Sequence, residues 1–410
     1  MAGSRRRRRW LNITMATVLA LVLVFYIGGG ILFSNMIYVD ALTPQPPTPD
    51  RGVYVTAIGD ETITLSSAEE REDTIRPGVA GLSWDGGFGQ IADIVEANGL
   101  AVTRRFALIE GALPVTCSGP LASCDQVDID SWVIQTDPAD VELAFDEVRV
   151  PAPIGDLGAW RVPGGDSTVW AVHAHGWRAS RREALRSLPI YNLGGVTSLV
   201  IDYRNDDGAP KDPSGIYRFG RSEWEDIEAA VDYAVSNGAE SVILVGYSTG
   251  AALHLAFMER SDLSTWVAAM VFDSPNVDMG ETVRYGATKR SIPGTSLPVP
   301  SSLTGVAMLI ADLRWDVGWE EIDYVERAGQ IITVPTLVYH GTEDDRVPID
   351  VSRRLQDSVP DQVRLVETPG AGHVTSWNVD TARYATTLTG FLRENGLGTT
   401  GETSEGTARS

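Results

Sequence analysis

A three-layer α/β sandwich is the fold class that residues 145–396 predict, and three observations carry it. The apolar runs STVWAVHA (167–174), VTSLVIDYR (196–204), SVILVG (241–246), TWVAAMVFD (265–273), VPTLVYHG (334–341) and QVRLVE (362–367) are continuous rather than alternating. Such runs mark parallel strands buried on both faces. Helical segments separate them: SRREALRSLPIYNL (180–193), EWEDIEAAVDYAVSNG (223–238), a helix starting near Thr249, and a last one over 380–395. In the second of these, Ile227, Val231, Ala234 and Val235 share a face and Gly238 supplies the stop. The alternation breaks only from Asn276 to about Gln330, where prolines, glycines, Trp315 and Trp319 fill an interval too long for one crossover. We read this interval, about 276–330, as a small cap over the carboxyl edge of the sheet.

The elements before the sandwich follow from composition. Residues 1–10 form a basic head, since Arg5 to Arg9 are the only charges before Asp40. The run LNITMATVLALVLVFYIGGGILF (11–33) carries no charged side chain and is long enough to cross a hydrocarbon core of about 30 Å as a helix. Arginines on the cytoplasmic side orient it, and the absence of a clear small-residue cleavage site favours a retained signal anchor over a cleaved signal. The lipid bilayer is therefore a partner, the N-terminus is cytoplasmic and the rest extracytoplasmic. Gly28 to Gly30 weaken the end of this helix. Residues 34–50, with ALTPQPPTPD at their end, read as a proline-rich linker holding the next domain clear of the lipid. From 51 to 144, VYVTAI, ETITLS, LAVTRRFALI and DSWVIQT are short strand-like runs between turn residues, a small mostly-β domain. Its WDGGFG (84–89) has the composition of a turn and lacks dinucleotide-binding spacing. The tail, 397–410, is expected to be disordered.

Charge and cysteine content narrow the function classes. The net charge of −22 opposes nucleic acid as a partner. Cys117 and Cys124 bracket the turn-rich SGPLAS and can close a disulfide in an oxidising compartment. A zinc pair is the alternative, without histidines nearby.

The chemistry concentrates around Gly246-Tyr247-Ser248-Thr249-Gly250, a G-x-S-x-G sequence between an apolar run and a helix. That context suits a sharp strand-to-helix turn presenting a nucleophile, with Gly246 and Gly250 removing side chains that would collide. A plain turn serine is the alternative. Among the five histidines, His254 falls in the following helix, His173 and His340 in strands, and His175 just after one; His373 alone lies in a loop, PGAGH, after the last strand. We assign it the general base. The loop after HG (340–341) offers Glu343, Asp344 and Asp345 as the orienting acid, and Asp273 in FDSP is a further candidate. The backbone N–H groups of Thr249 and Trp177 are the expected oxyanion donors, though Trp177 could serve only as a pocket wall. His173 and His175 alternate on one strand but no third metal ligand has convincing spacing, so neither metal nor cofactor is predicted.

Taken in order, the HGW loop, DYRN, G-x-S-x-G, HGTEDDRVP and GAGH resemble the α/β-hydrolase superfamily over about 145–396. The resemblance implies an eight-stranded, mostly parallel sheet and a Ser248, Asp344, His373 triad, with Asp345 the second choice of acid. It implies an ester hydrolase acting on a small-molecule or lipid ester, with peptidase, acyltransferase and a non-catalytic envelope module as alternatives. It does not account for the anchor or the β domain.

Overall fold

In the computed structural model, residues 2–44, 52–69, 71–117, 121–165 and 168–398 are described. The end of the proline-rich linker (45–50) and most of the tail expected to be disordered (399–410) lie outside the described residues.

The apolar run forms one helix, α1 (Ala2–Ile37), about 54 Å long at 1.5 Å per residue. It is long and apolar enough to cross a bilayer. A π-helical turn, Tyr38–Leu42, continues it. The expected spacer therefore does not begin at residue 34. Leu42 is fully buried in the core of the α/β sandwich, Tyr217 N donates to its carbonyl at 2.8 Å, and the Tyr38 ring stacks on Trp315 with centroids 4.6 Å apart. The apolar character of Ile37, Tyr38 and Leu42 is what docks this stretch instead of leaving it extended.

Six strands close a small antiparallel barrel: β1 (Val53–Ile58), β2 (Thr62–Ser67), β3 (Ala80–Trp84), β4 (Gly87–Asn98), β5 (Ala101–Gly111) and β6 (Gln126–Asp130), in the order β1-β2-β5-β4-β3-β6. Alternate residues Val53, Val55, Ile63, Leu65 and Leu82 fill its interior. Asp85 and Gly86, within WDGGFG, turn the chain between β3 and β4, and Gly86 takes a positive φ of 99°. The strand expected at 130–136 ends instead at Asp130. The carboxylate of Asp130 accepts the N–H groups of Trp132 and Val133 at 2.7 and 3.0 Å, and this Asx-type turn pulls the chain out of the ladder. Cys117 and Cys124 are joined by a disulfide.

The sandwich is built on an eight-stranded sheet: β7 (Asp146–Val150), β8 (Leu157–Val162), β9 (Val169–Ala174), β10 (Thr197–Ile201), β11 (Ser241–Tyr247), β12 (Val267–Asp273), β13 (Thr336–Gly341) and β14 (Val363–Thr368). Their order is β14-β13-β12-β11-β9-β10-β8-β7; β7 and β8 pair antiparallel, as do β8 and β10, and the remaining pairings from β10 to β14 are parallel. Every residue of β10 and β13 is buried, as their unbroken apolar sequences require. Two cores lie on the two faces. One is closed by α3 (Trp224–Ser236) and α4 (Thr249–Arg260), the other by α2 (Leu188–Leu193) and α8 (Thr381–Glu394), while α7 (Asp350–Ser358) joins β13 to β14. The helix expected at 180–193 is a 3-10 segment followed by the short α2, because Pro189 interrupts the hydrogen-bond ladder.

The cap holds α5 (Met279–Thr288) and α6 (Ser301–Trp315). Helix α6 lies along α1, and Gly29 and Gly30 have a packing role there. A Cβ on Gly30 would sit 2.7 Å from Val306 Cγ1 and 2.8 Å from Ile310 Cδ1, so only glycine lets the two helices approach this closely.

Candidate active site

Parallel strands place their following loops at one sheet edge, and four such loops meet here. Ser248, between β11 and α4, has φ 50° and ψ −114°, a conformation that costs a non-glycine residue of order 1–3 kcal/mol. Its N–H donates to the Asp273 carbonyl at 2.9 Å, while its own carbonyl accepts from Asn276 N at 3.0 Å. The elbow tolerates no side chain at Gly250, where a Cβ would collide with the carbonyl oxygen of Ala174; at Gly246 it would sit 2.6 Å from Ala251 N. Positive φ recurs at Arg178, Ser274 and Val374, around the same edge. For the β-branched Val374 this is a steric outlier, held by the Ser274 hydroxyl that accepts its N–H at 2.9 Å.

His373, in the loop after β14, lies between two partners. Its Nε2 is 2.8 Å from Ser248 Oγ and its Nδ1 is 2.8 Å from Asp344 Oδ2. Asp344 also accepts the N–H groups of Arg346 and Val347, each at 2.9 Å. Burial pushes the Asp344 carboxyl up, but the facing imidazoles of His373 and His340 and its hydrogen bonds outweigh this and hold it well below the usual carboxylate range. The structure thus brings Ser248, Asp344 and His373 together. Asp345 is exposed and Asp273 does not reach the imidazole.

Asp273 has a different character. Its Oδ1 is buried with no partner among the described residues, and burial raises its pKa from 3.8 to about 7, opposed by Arg186 and His340. A raised folded pKa means the native state holds this proton more tightly than the unfolded chain. The stability of the neutral carboxyl is full below pH 3.8 and is lost as pH rises through about 7. Asp273→Asn should therefore gain melting temperature relative to the parent between pH 4 and pH 8, as scanning calorimetry at the two pH values would measure.

The expected oxyanion donors flank the nucleophile. Thr249 opens α4, and Trp177 lies in the loop after β9 next to Gly176, where a Cβ would sit 3.1 Å from Ser248 Cβ. The Trp177 indole N–H and the Thr249 hydroxyl are both buried without a partner among the described residues. Beneath this loop Gly176 N donates to Glu183 at 2.7 Å, and His175 Nε2 meets Asp206 at 2.8 Å with Tyr203 stacked on the ring. His175, Asp202 and Asp206 have the donor types of a metal site. Their atoms are engaged otherwise. Both His175 nitrogens are bonded, Nε2 to Asp206 at 2.8 Å and Nδ1 to the Gly176 carbonyl at 2.9 Å, partners that raise its pKa against the effect of burial, and Asp202 is paired with Arg181 at 2.9 Å. His173 and His254 are buried core residues whose pKa values burial lowers to about 3 and about 4.

Two contributors to the site were missed in the sequence. His340, inside β13, places Nε2 3.2 Å from Asp344 Oδ2. Trp132, just past the barrel, donates its indole N–H to the His373 carbonyl at 2.9 Å, and the Arg346 guanidinium covers its ring at 4.3 Å. Asn378 continues the seam by donating to the carbonyls of Val79 and Ser131. The barrel thus grips both the histidine loop and the acid loop, which no short sequence pattern could announce. Trp132→Phe, which keeps the ring and removes the donor, should lower kcat about three- to tenfold with KM unchanged, the scale of one lost hydrogen bond. Steady-state kinetics on a soluble ester checks this.

The chain matches the Alpha/beta hydrolase family over residues 162–387, more than half its length. Among solved structures, an esterase of Pyrococcus furiosus is similar at 19% identity, covering 64% of this chain and 96% of its own, with a TM-score of 0.50. An esterase from Thermogutta terrifontis, solved with malate bound, is 17% identical over 61% of this chain and 99% of its own, with a TM-score of 0.43. No curated protein matches the chain by sequence. Ordered sequence motifs, an eight-stranded, mostly parallel sheet and the family match together place the chain in the alpha/beta hydrolase family.

Proposed function

We propose that the protein is a membrane-anchored serine hydrolase that cleaves a carboxylic ester through an acyl-enzyme on Ser248. The observation that carries this is the unbroken hydrogen-bonded chain from Ser248 Oγ through His373 to Asp344, 2.8 Å at each link. His373 Nε2 takes the hydroxyl proton as Oγ attacks the ester carbonyl. The backbone N–H groups of Trp177 and Thr249 receive the tetrahedral oxyanion. His373 then returns the proton to the leaving alcohol, and water, activated by the same imidazole, releases the acid. Asp344 fixes the ring tautomer and stabilises the imidazolium. A non-catalytic envelope module is the competing class, but such a scaffold gains nothing from a serine strained at φ 50° beside a base. Peptidase and acyltransferase chemistry would use the same residues and differ in the acyl donor or the acceptor.

The catalytic domain lies outside the cytoplasmic membrane, with Arg5 to Arg9 inside and the disulfide outside. Helix α1 is retained, since its end is part of the sandwich core and its glycine face seats the cap. A fluorophosphonate probe should label the protein covalently, and Ser248→Ala should abolish the label. Equal labelling of the two proteins would refute the assignment of the nucleophile.

A further inference from the structure

The cap carries an apolar surface that belongs with the anchor. Residues 291–311, SIPGTSLPVPSSLTGVAMLIA, contain no charged side chain, and Lys289, Arg290, Asp312 and Arg314 flank them. The stretch folds as a hairpin, bridged between Ser291 and Pro298, followed by most of α6. Leu297 is 61% exposed, Leu309 58% and Leu313 78%, a cost in water that a folded domain usually avoids.

Contacts with α1 fix the depth of this surface. The two helices run in the same direction: Tyr26 bonds Ser302 at 2.8 Å, Gly30 faces Val306 and Ile310, and Arg314 reaches Ser34 Oγ and Asn35 Oδ1 at 3.2 and 2.7 Å. The start of α6 is thus level with Tyr26, about 12 Å down the helix axis from Ser34. Two independent polar contacts mark the same boundary, Arg314 with Ser34 and Asn35, and Arg290 with Asp40 at 2.9 Å. If α1 spans the bilayer, the beginning of α6 must share the lipid with it, about 12 Å along the axis from the level of Ser34.

The same elements border the candidate active site. Arg178, beside Trp177, donates to the carbonyls of Val39 and Thr43 where α1 ends. From α5, Tyr285 donates to the Asp344 carbonyl and Lys289, just past its end, to that of Asp345. Ser248 is only 6% exposed, so a substrate must displace part of this surround to reach it.

We infer that the cap hairpin and the first turns of α6 sit in the extracytoplasmic leaflet, and that the substrate is a long-chain ester drawn directly from that leaflet. This rests on the membrane-anchored ester-hydrolase reading above and adds the substrate class and its route of entry.

The test uses the full chain in phosphatidylcholine vesicles. Its only cysteines form the disulfide, so Leu297→Cys and Leu309→Cys can be labelled singly with an environment-sensitive NBD probe. Both labels should emit blue-shifted light quenched by brominated acyl chains, while a label at Leu193→Cys, 85% exposed on the sandwich, should emit as in water. The double variant Leu297→Asp, Leu309→Asp should lower the ratio of long-chain to short soluble ester hydrolysis about tenfold, as two apolar contacts with the leaflet are lost. Water-like emission at both cap positions overturns the immersion. Lipid-like emission with an unchanged ratio overturns the substrate route. Failure of the parent protein to hydrolyse either ester counts instead against the hydrolase reading, and the probe emission still decides immersion.

Discussion

Ser248→Ala is expected to lower kcat on any ester substrate about a million-fold, the scale seen when a triad nucleophile is removed. The change takes away the bond-forming oxygen and leaves the rest of the machinery in place, so substrate binding should persist. The fold should persist too. Alanine at φ 50° carries the same backbone strain as serine, and the one hydrogen bond lost is that to His373 Nε2. Calorimetry should find the melting temperature changed by a few degrees at most. Stopped-assay kinetics with high enzyme concentration would detect the residual rate, and a loss smaller than a hundredfold would mean that another group attacks the ester.

Asp344→Asn is expected to cost about ten-thousandfold in kcat, because it changes which imidazole nitrogen carries the proton. The carbonyl oxygen of the substituted side chain would be retained by the N–H groups of Arg346 and Val347, so its amide NH2 would face His373. Nδ1 must then accept, Nε2 must hold the hydrogen, and the ring can no longer take a proton from Ser248. The His340 nitrogen, 3.2 Å from Oδ2 of the native carboxylate, adds a second clash of donors or a second rearrangement. Asp345→Asn is the matched control. That side chain is exposed, and its replacement should leave kcat within about twofold. Comparable losses in the two variants would return the identity of the acid to the open choice that the sequence alone offers.

The elements that sequence made legible are those governed by local rules. Continuous apolar strands between helices give a sheet buried on both faces, and G-x-S-x-G gives a strained serine between a strand and a helix. The barrel is harder to read. β3 and β4 and the turn between them contain glycines at 81, 86, 87 and 89 that mask their alternation, although the strands pair through five residues. The role of Trp132 depends on how the barrel sits against the loop of His373, 241 positions away, and no local pattern encodes that. His340 looks like any strand histidine until β13 and the acid loop are folded over it. Gly28 to Gly30 read as a weak helix end because α6, on which Gly29 and Gly30 pack, is even more distant in sequence.

That distance bears on how the molecule is made. Tyr26 and Ser302 are 276 residues apart, so α1 is synthesised long before the helix that packs on it exists. The cap can complete itself only after most of the chain has been made, and under the membrane-anchored reading proposed above assembly finishes at the lipid surface rather than in free solution. For recombinant work the consequence is direct. A truncation that discards the chain through Leu42 bares Leu303, Val306 and Ile310 and empties the seat of Leu42, and the product will self-associate unless a detergent or an engineered polar face takes the place of the missing helix.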